Sequence, residues 1–123
     1  MANTKLESVS PSFAVSDLPQ ALQFYQETLG FDVAWTWGEP ADLASVCRDA
    51  VAITLAKRAD ARPSGTSRAY LQVTGINDLY TRVEQAGANI VVPIGDRTYG
   101  MRDFGIADPF GNRLDFGEPL AEA

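Results

Sequence analysis

The chain has no histidine among its 123 residues, which limits the chemistry that its side chains can carry out. A Ser-His-Asp or Cys-His nucleophilic site needs an imidazole as general base, and most zinc and non-haem iron sites need imidazole ligands. The single cysteine, Cys47, lies in an alternating segment that predicts a small core residue rather than a nucleophile. We therefore expect no catalytic residue of these types, no metal and no other cofactor.

The aromatic side chains offer a different chemistry, which is stacking against a planar ligand. Val33, Trp35 and Trp37 alternate, so a β-strand would carry all three on one face, where an indole can stack on a heteroaromatic ring. Such stacking contributes about 0.5–1.5 kcal/mol beyond the burial of surface area. The same indoles could instead pack an interior or a contact between two chains, and the sequence leaves both interpretations open.

Polar candidates for ligand contact lie in the second half of the chain. Alternation puts Tyr70 and Gln72 on one strand face, and this mixture of ring and amide favours a binding surface. Arg102 and Asp103 point to opposite faces of a regular strand, so at most one of them lines such a surface. Their commoner role is a surface salt bridge contributing about 0–1 kcal/mol. Asp115 can accept a hydrogen bond from a ligand.

The charge balance is acidic, with 10 Lys and Arg against 16 Asp and Glu and a net charge of −6. No Lys/Arg cluster is present, so we expect no nucleic-acid partner. No apolar run approaches the roughly 18 residues that span a bilayer, so we expect no membrane association. The one cysteine cannot form a disulfide within the chain, which fits a cytoplasmic location. An acidic surface favours solubility and also cationic ligands.

Two helices are predicted, over residues 16–30 and 76–87. The first has one apolar face, formed by Leu18, Ala21, Leu22, Tyr25 and Leu29. Ser16 or Asp17 can cap its N-terminus, and Gly30 suits a left-handed stop. Gly87 ends the second helix in the same way.

Each predicted helix follows one short strand and precedes three others. The predicted strands cover residues 11–15, 33–37, 43–48, 51–57, 69–73, 89–94, 99–107 and 113–117. Val15 and Val73 hold matching positions 58 residues apart, which indicates an internal duplication. We predict a single α+β domain of two βαβββ modules, about residues 9–57 and 67–118, with a linker at about 58–66.

These modules resemble the vicinal oxygen chelate superfamily, which includes glyoxalase I, ring-cleaving dioxygenases, fosfomycin-resistance enzymes and bleomycin resistance proteins. Four segments in family order carry the resemblance: residues 15–25, 29–31, 99–104 and 108–112. The family's metal ligands are often two histidines and a glutamate, and their positions correspond here to Ser10, Arg68 and Asp115. An arginine repels a cation, so the departure points to the metal-free branch, similar to the bleomycin resistance proteins.

The resemblance implies a cupped, mixed sheet paired in a homodimer, and it allows an exchanged N-terminal strand. Members of the metal-free branch are small cytosolic dimers that sequester a cationic, bithiazole-bearing antibiotic without altering it. We therefore expect resistance by sequestration, with an aromatic, cationic organic ligand bound at the dimer interface. Trp35 takes the family's stacking position, and Tyr99 lies where a loop tryptophan often covers the groove. The predicted ligand-binding residues are Trp35, Trp37, Tyr70, Tyr99, Arg102 and Asp115.

Two alternatives remain open from the sequence. One is a superfamily enzyme, such as a lyase, isomerase or dioxygenase, with an atypical carboxylate metal site that includes Asp115. The other is a regulatory module that binds a protein partner through Trp35 and Trp37.

Overall fold

The computed structural model describes residues 3–59 and 67–121 of the chain. Their elements in chain order are β1 (Ser12–Val15), α1 (Leu18–Glu27), β2 (Asp32–Trp37), β3 (Leu43–Arg48), β4 (Val51–Lys57), β5 (Arg68–Gln72), α2 (Ile76–Gln85), β6 (Asn89–Asp96), β7 (Met101–Ala107) and β8 (Arg113–Pro119). Most of the predicted linker, residues 60–66, lies outside the described residues. Neither helix is long and apolar enough to cross a membrane within the described part of the chain.

The strands form two four-stranded mixed sheets with the same topology. Sheet A has the order β1-β4-β3-β2, and sheet B has the order β5-β8-β7-β6. In each sheet the first strand of the module pairs in parallel with the last, and the remaining pairs are antiparallel. The predicted α+β fold of two βαβββ modules is therefore confirmed.

Local signals define the two ends of α1. The Asp17 carboxylate accepts a hydrogen bond from the backbone N–H of Gln20 at 3.0 Å, which caps the helix as predicted. Gly30 has a φ of +71°, and the N–H of Phe31 donates to the carbonyl of Tyr25 beyond the helix end. The helix covers Leu18–Glu27, which is shorter than residues 16–30 because the flanking residues form its caps.

Helix α2 begins differently, because its N-terminal residue Gly75 has no side chain to cap it. Glu118 of β8 supplies the acceptor instead, taking hydrogen bonds from the backbone N–H groups of Gly75 and Ile76 at 3.1 and 3.3 Å. A carboxylate at this end also interacts favourably with the helix dipole. The last strand of the module therefore fixes the start of its helix.

One face of each sheet packs, together with the two helices, into a single cluster of buried side chains. A buried hydrogen bond joins the modules within it, from Tyr25 Oη on α1 to Asp108 Oδ2 in the turn before β8, at 3.0 Å. Burial, reinforced by the charge of Asp108 and this hydrogen bond, raises the pKa of Tyr25 well above its usual value. The other face of each sheet points away from this core.

Candidate functional site

The exposed face of sheet A carries both tryptophans, and we call it the tryptophan face. Strand β2 has a β-bulge between Val33 and Trp35. Val33 therefore pairs with the buried Val46 and packs against the core, whereas Trp35 pairs with Ser45 on the opposite face. The prediction that Val33 shares a face with the tryptophans was wrong, because the bulge shifts the alternation by one residue.

Both indoles on the tryptophan face are accessible. Trp35 and Trp37 are 47% and 66% exposed. The neighbouring strands offer small side chains, including Thr54, whose Oγ1 lies 3.1 Å from Ser10 Oγ. Cys47 was predicted to be a core residue, but it is half-buried and lies on the tryptophan face. The strand register places it beside Asp32 and Ala52, which belong to this face rather than to the core.

The exposed face of sheet B is polar, and we call it the arginine face. It carries two hydrogen-bonded groups of side chains: Arg68, Arg113 and Asp115 form one, and Tyr70, Arg97, Tyr99 and Asp103 form the other. Leu71 and Phe116, which alternate with members of this set, are buried in the core. Tyr70 and Tyr99 are 50% and 66% exposed, and Tyr99 lies in the turn before β7 rather than in the strand predicted from residue 99.

Asp115 is held between two guanidinium groups. Arg68 Nη2 donates to Asp115 Oδ2 at 2.5 Å, and Arg113 Nε donates to Asp115 Oδ1 at 2.9 Å. Gly105 lies opposite on β7, where a Cβ atom would collide with the Asp115 carboxylate. Both oxygens of the predicted ligand acceptor are thus already engaged within the chain.

Asp103 forms a second buried carboxylate centre on the arginine face. It accepts hydrogen bonds from Arg97 Nε at 2.7 Å, from Tyr70 Oη at 3.3 Å and from Tyr99 Oη. Burial alone would raise the pKa of Asp103, but the hydrogen bonds from Arg97 and Tyr99 and the charge of Arg97 lower it below its usual value. Conversely, burial and Asp103 raise the pKa of Tyr70, and the hydrogen bond to Asp103 raises that of Tyr99.

Glycine makes room for the Tyr70 ring. A Cβ atom on Gly117 would collide with the hydroxyl end of that ring. Gly105 and Gly117 lie within β7 and β8, and neither has a positive φ. Their role is clearance for side chains above them, which sequence analysis missed; a glycine inside a strand is the signal that could have found it.

Arg102 is the one predicted ligand residue on sheet B that the structure separates from the others. Its guanidinium lies on the helix side, where Nε donates to Asn77 Oδ1 of α2 at 2.8 Å and Nη1 donates to Asp96 Oδ1 at 2.9 Å. Strand alternation sends Asp103 to the arginine face and Arg102 away from it. The expectation that at most one of the two lines this face agrees with the structure.

The positions that correspond to the family's metal ligands do not fit a divalent cation. Arg68 occupies one of them and bonds directly to Asp115, which occupies another. Among residues 3–59 and 67–121, no three His, Cys, Asp or Glu side chains converge as a metal-ligand group. The three positions hold a hydroxyl, a guanidinium and a carboxylate, and the carboxylate is already paired with the guanidinium.

A separate cleft of about 600 Å³ lies where the two modules meet, lined partly by Leu29, Leu71 and Leu79. Two arginines at its edge are committed to the end of α1. Arg48 Nη1 donates to the carbonyl of Leu29 at 2.7 Å, and Arg82 Nε donates to that of Thr28 at 3.1 Å. Both arginines cap the C-terminal end of α1, and Arg82, which lies on α2, thereby joins the two modules.

Comparison with known proteins identifies a family. The model of the Glyoxalase/Bleomycin resistance protein/Dioxygenase superfamily matches residues 7–116. An uncharacterized protein of Mycobacterium tuberculosis (strain ATCC 25618 / H37Rv) is 36% identical over 53 residues, which are 43% of this chain and 31% of that protein. The matched segment thus spans about a third of the length of this relative.

Solved structures share the fold. The bleomycin-binding protein of Streptomyces verticillus, solved with copper(II)-bleomycin, superposes with a TM-score of 0.77 at 23% identity, covering 97% of this chain and 99% of that one. TnmS3, an antibiotic binding protein from Streptomyces sp. CB03234, superposes with a TM-score of 0.73 at 24% identity, covering 94% and 99%. At this identity the likeness establishes the fold.

Proposed function

The chain belongs to the glyoxalase/bleomycin resistance protein/dioxygenase superfamily, and on that premise we propose that it binds an aromatic small molecule and sequesters it without altering it. The observation that carries this proposal is the set of exposed rings on the two sheet faces, from Trp35, Trp37, Tyr70 and Tyr99. Exposed aromatic side chains provide stacking surface at little cost in conformational entropy. The arrangement supports binding of a planar compound.

The occupancy of the acidic groups favours binding over catalysis. A general acid or base needs a group free to exchange a proton with substrate. Asp103 and Asp115 instead each accept hydrogen bonds on both carboxylate oxygens from side chains of the same sheet. In this arrangement they position neighbouring arginines and tyrosines.

The two antibiotic-binding structures with this fold suggest what the compound is. One was solved with copper(II)-bleomycin and the other is an antibiotic binding protein. We extend this to the present chain as a proposal that the compound is an antibiotic and that binding confers resistance. A cytoplasmic location belongs to the same proposal, since the free thiol of Cys47 suits a reducing compartment.

We further propose a homodimer in which the ligand lies between chains. The tryptophan and arginine faces both point away from the shared core, so a second copy could bring one face of each chain together. Leu6 and Val9, in the segment before β1, are 93% and 86% exposed and offer apolar contacts for such a partner. Light scattering should give about twice 13.3 kDa, with Leu6→Ser and Val9→Ser weakening association; a monomer at all concentrations would contradict this part.

Tryptophan fluorescence tests the binding proposal. The protein is titrated with flat aromatic compounds that include metal-free bleomycin as a cationic member and anthraquinone-2-sulfonate as an anionic one. We expect saturable quenching by at least one compound at one molecule per chain, weakened in Trp35→Phe. Mass spectrometry should recover that compound unchanged. Absence of quenching by every member would contradict the proposal, and conversion of a bound compound would favour the enzyme alternative.

A further inference from the structure

The charges that a ligand meets on the arginine face differ in sign from the charge of the whole chain. The face carries the guanidinium groups of Arg68, Arg97 and Arg113 against the carboxylates of Asp103 and Asp115, which leaves one net positive charge. The chain as a whole carries a net charge of −6. Local charge governs contacts at short range, because exposed charges farther away than about 8–10 Å are screened by salt.

Burial strengthens this contrast. The Arg68 side chain is 57% exposed and those of Arg97 and Arg113 are each 28% exposed, whereas the side chains of Asp103 and Asp115 are only 9% and 7% exposed. An approaching molecule therefore contacts guanidinium groups before it contacts carboxylates. Negative charge is present on this face, but it lies beneath the arginines.

The hydrogen-bonding capacity points the same way. Each carboxylate oxygen of Asp103 and Asp115 already accepts from an arginine or tyrosine. Arg68 has five N–H donors, of which one bonds to Asp115 among the described contacts. The face therefore has donors to offer and few acceptors, so its complement is a group rich in acceptors.

We infer that the part of the ligand that docks on the arginine face is an anionic acceptor group, such as a carboxylate or an ionised phenol attached to an aromatic ring. The inference rests on the proposed function and specifies its ligand class. The ring stacks on Tyr70 or Tyr99, and the anion takes hydrogen bonds from Arg68. This differs from the cationic ligand expected from the resemblance and from the net charge of the chain, because the predicted acceptor Asp115 is paired with two arginines.

Three probes with one ring system and different charge test the inference: 2-naphthoate, 2-naphthalenemethanol and 2-naphthylmethylammonium. Calorimetric titration should give 2-naphthoate an affinity about tenfold above that of the ammonium compound, the ratio expected for one charge-assisted hydrogen bond. The ratio should fall as salt is added. The ratio of the two affinities is a better readout than either affinity alone, because partial unfolding of a variant would weaken the binding of all three probes equally.

Matched variants locate the effect. Arg68→Gln should abolish the preference for naphthoate, whereas Arg102→Gln, which changes an arginine on the helix side of the same sheet, should leave it unchanged. Asp115→Asn should increase the preference, because it removes a negative charge beneath Arg68. Equal or tighter binding of the ammonium compound, or a preference that survives Arg68→Gln, would overturn the inference and leave the proposed function standing. Failure of all three probes to bind at millimolar concentration would contradict the inference, and it would contradict the proposed function as well if no compound of the fluorescence panel quenches tryptophan emission.

Discussion

Replacing Gly105 with alanine should destabilise the protein through one contact. The Cβ atom would collide with Oδ1 of Asp115 and lie 3.1 Å from Arg113 Nε. Asp115 cannot simply swing away, because Arg68 and Arg113 hold its two oxygens and its side chain is only 7% exposed. The substitution therefore either overpacks the sheet face or breaks the ion pairs.

The magnitude follows from the competing effects. Overpacking costs about 1–3 kcal/mol, and loss of a hydrogen bond to a charged group costs about 1.5–3 kcal/mol, less where water can replace an exposed arginine. Alanine in an extended strand position recovers about 0.5–1 kcal/mol relative to glycine. We expect Gly105→Ala to lower the free energy of unfolding by about 0.5–2 kcal/mol.

A double-mutant cycle measured by urea unfolding isolates this contact. Asp115→Ala alone should cost about 1–3 kcal/mol, and adding Gly105→Ala to it should cost nothing more, because the colliding carboxylate is gone. The coupling free energy should reach at least about 1 kcal/mol. Additive losses in the double variant, or no loss in Gly105→Ala alone, would refute the stated geometry of Asp115.

Three further predictions concern the tyrosines and Asp103. Tyr25→Phe removes the buried hydrogen bond to Asp108 and should lower the free energy of unfolding by about 1–3 kcal/mol in urea titrations; an unchanged midpoint would count against that bond. The pKa of Asp103 is lower in the folded protein than the ordinary carboxyl value of about 3.9. The stabilisation that ionised Asp103 gives the fold should therefore be complete above about pH 3.9 and be lost as the pH falls through the pKa of Asp103 in the folded state. Thermal unfolding at stepped pH should show this loss in the native chain and less of it in Asp103→Asn. Gly117→Ala should displace the Tyr70 ring and make it more reactive toward tetranitromethane. In a variant that also carries Tyr70→Ala, the Gly117→Ala substitution should leave the free energy of unfolding unchanged or raise it by up to about 1 kcal/mol.

The sequence was informative where a signal is local. The apolar spacing, the Asp17 cap and Gly30 together predict α1, because a helix end is determined by residues within one turn of it. The repeated order of strands and helices also predicts both modules, because each of these elements is recognised from its own residues. The alternation of Arg102 and Asp103 also predicts their opposite faces correctly.

Features that depend on contacts distant in sequence were not predictable in this way. Glu118 caps a helix that begins 42 residues earlier, and Tyr25 bonds to Asp108 across 83 residues. The β-bulge after Val33 leaves no clear trace in an alternating segment, so the wrong residue was placed beside the tryptophans. The net positive charge of the arginine face was not predictable either, because its arginines and aspartates come together only when β5, β7 and β8 pair in the sheet.

The location of the binding surface is the central claim, and an amide and indole chemical-shift map tests it most directly. The ¹⁵N-labelled protein is titrated with 2-naphthoate, and shifts are followed for the two tryptophan indoles and for the backbone. We predict saturable shifts at Trp35, Tyr70 and Tyr99 on the exposed sheet faces, with little change around Leu29 and Leu79 in the cleft between the modules. Shifts confined to that cleft, or no saturable shift on either sheet face, would contradict the account.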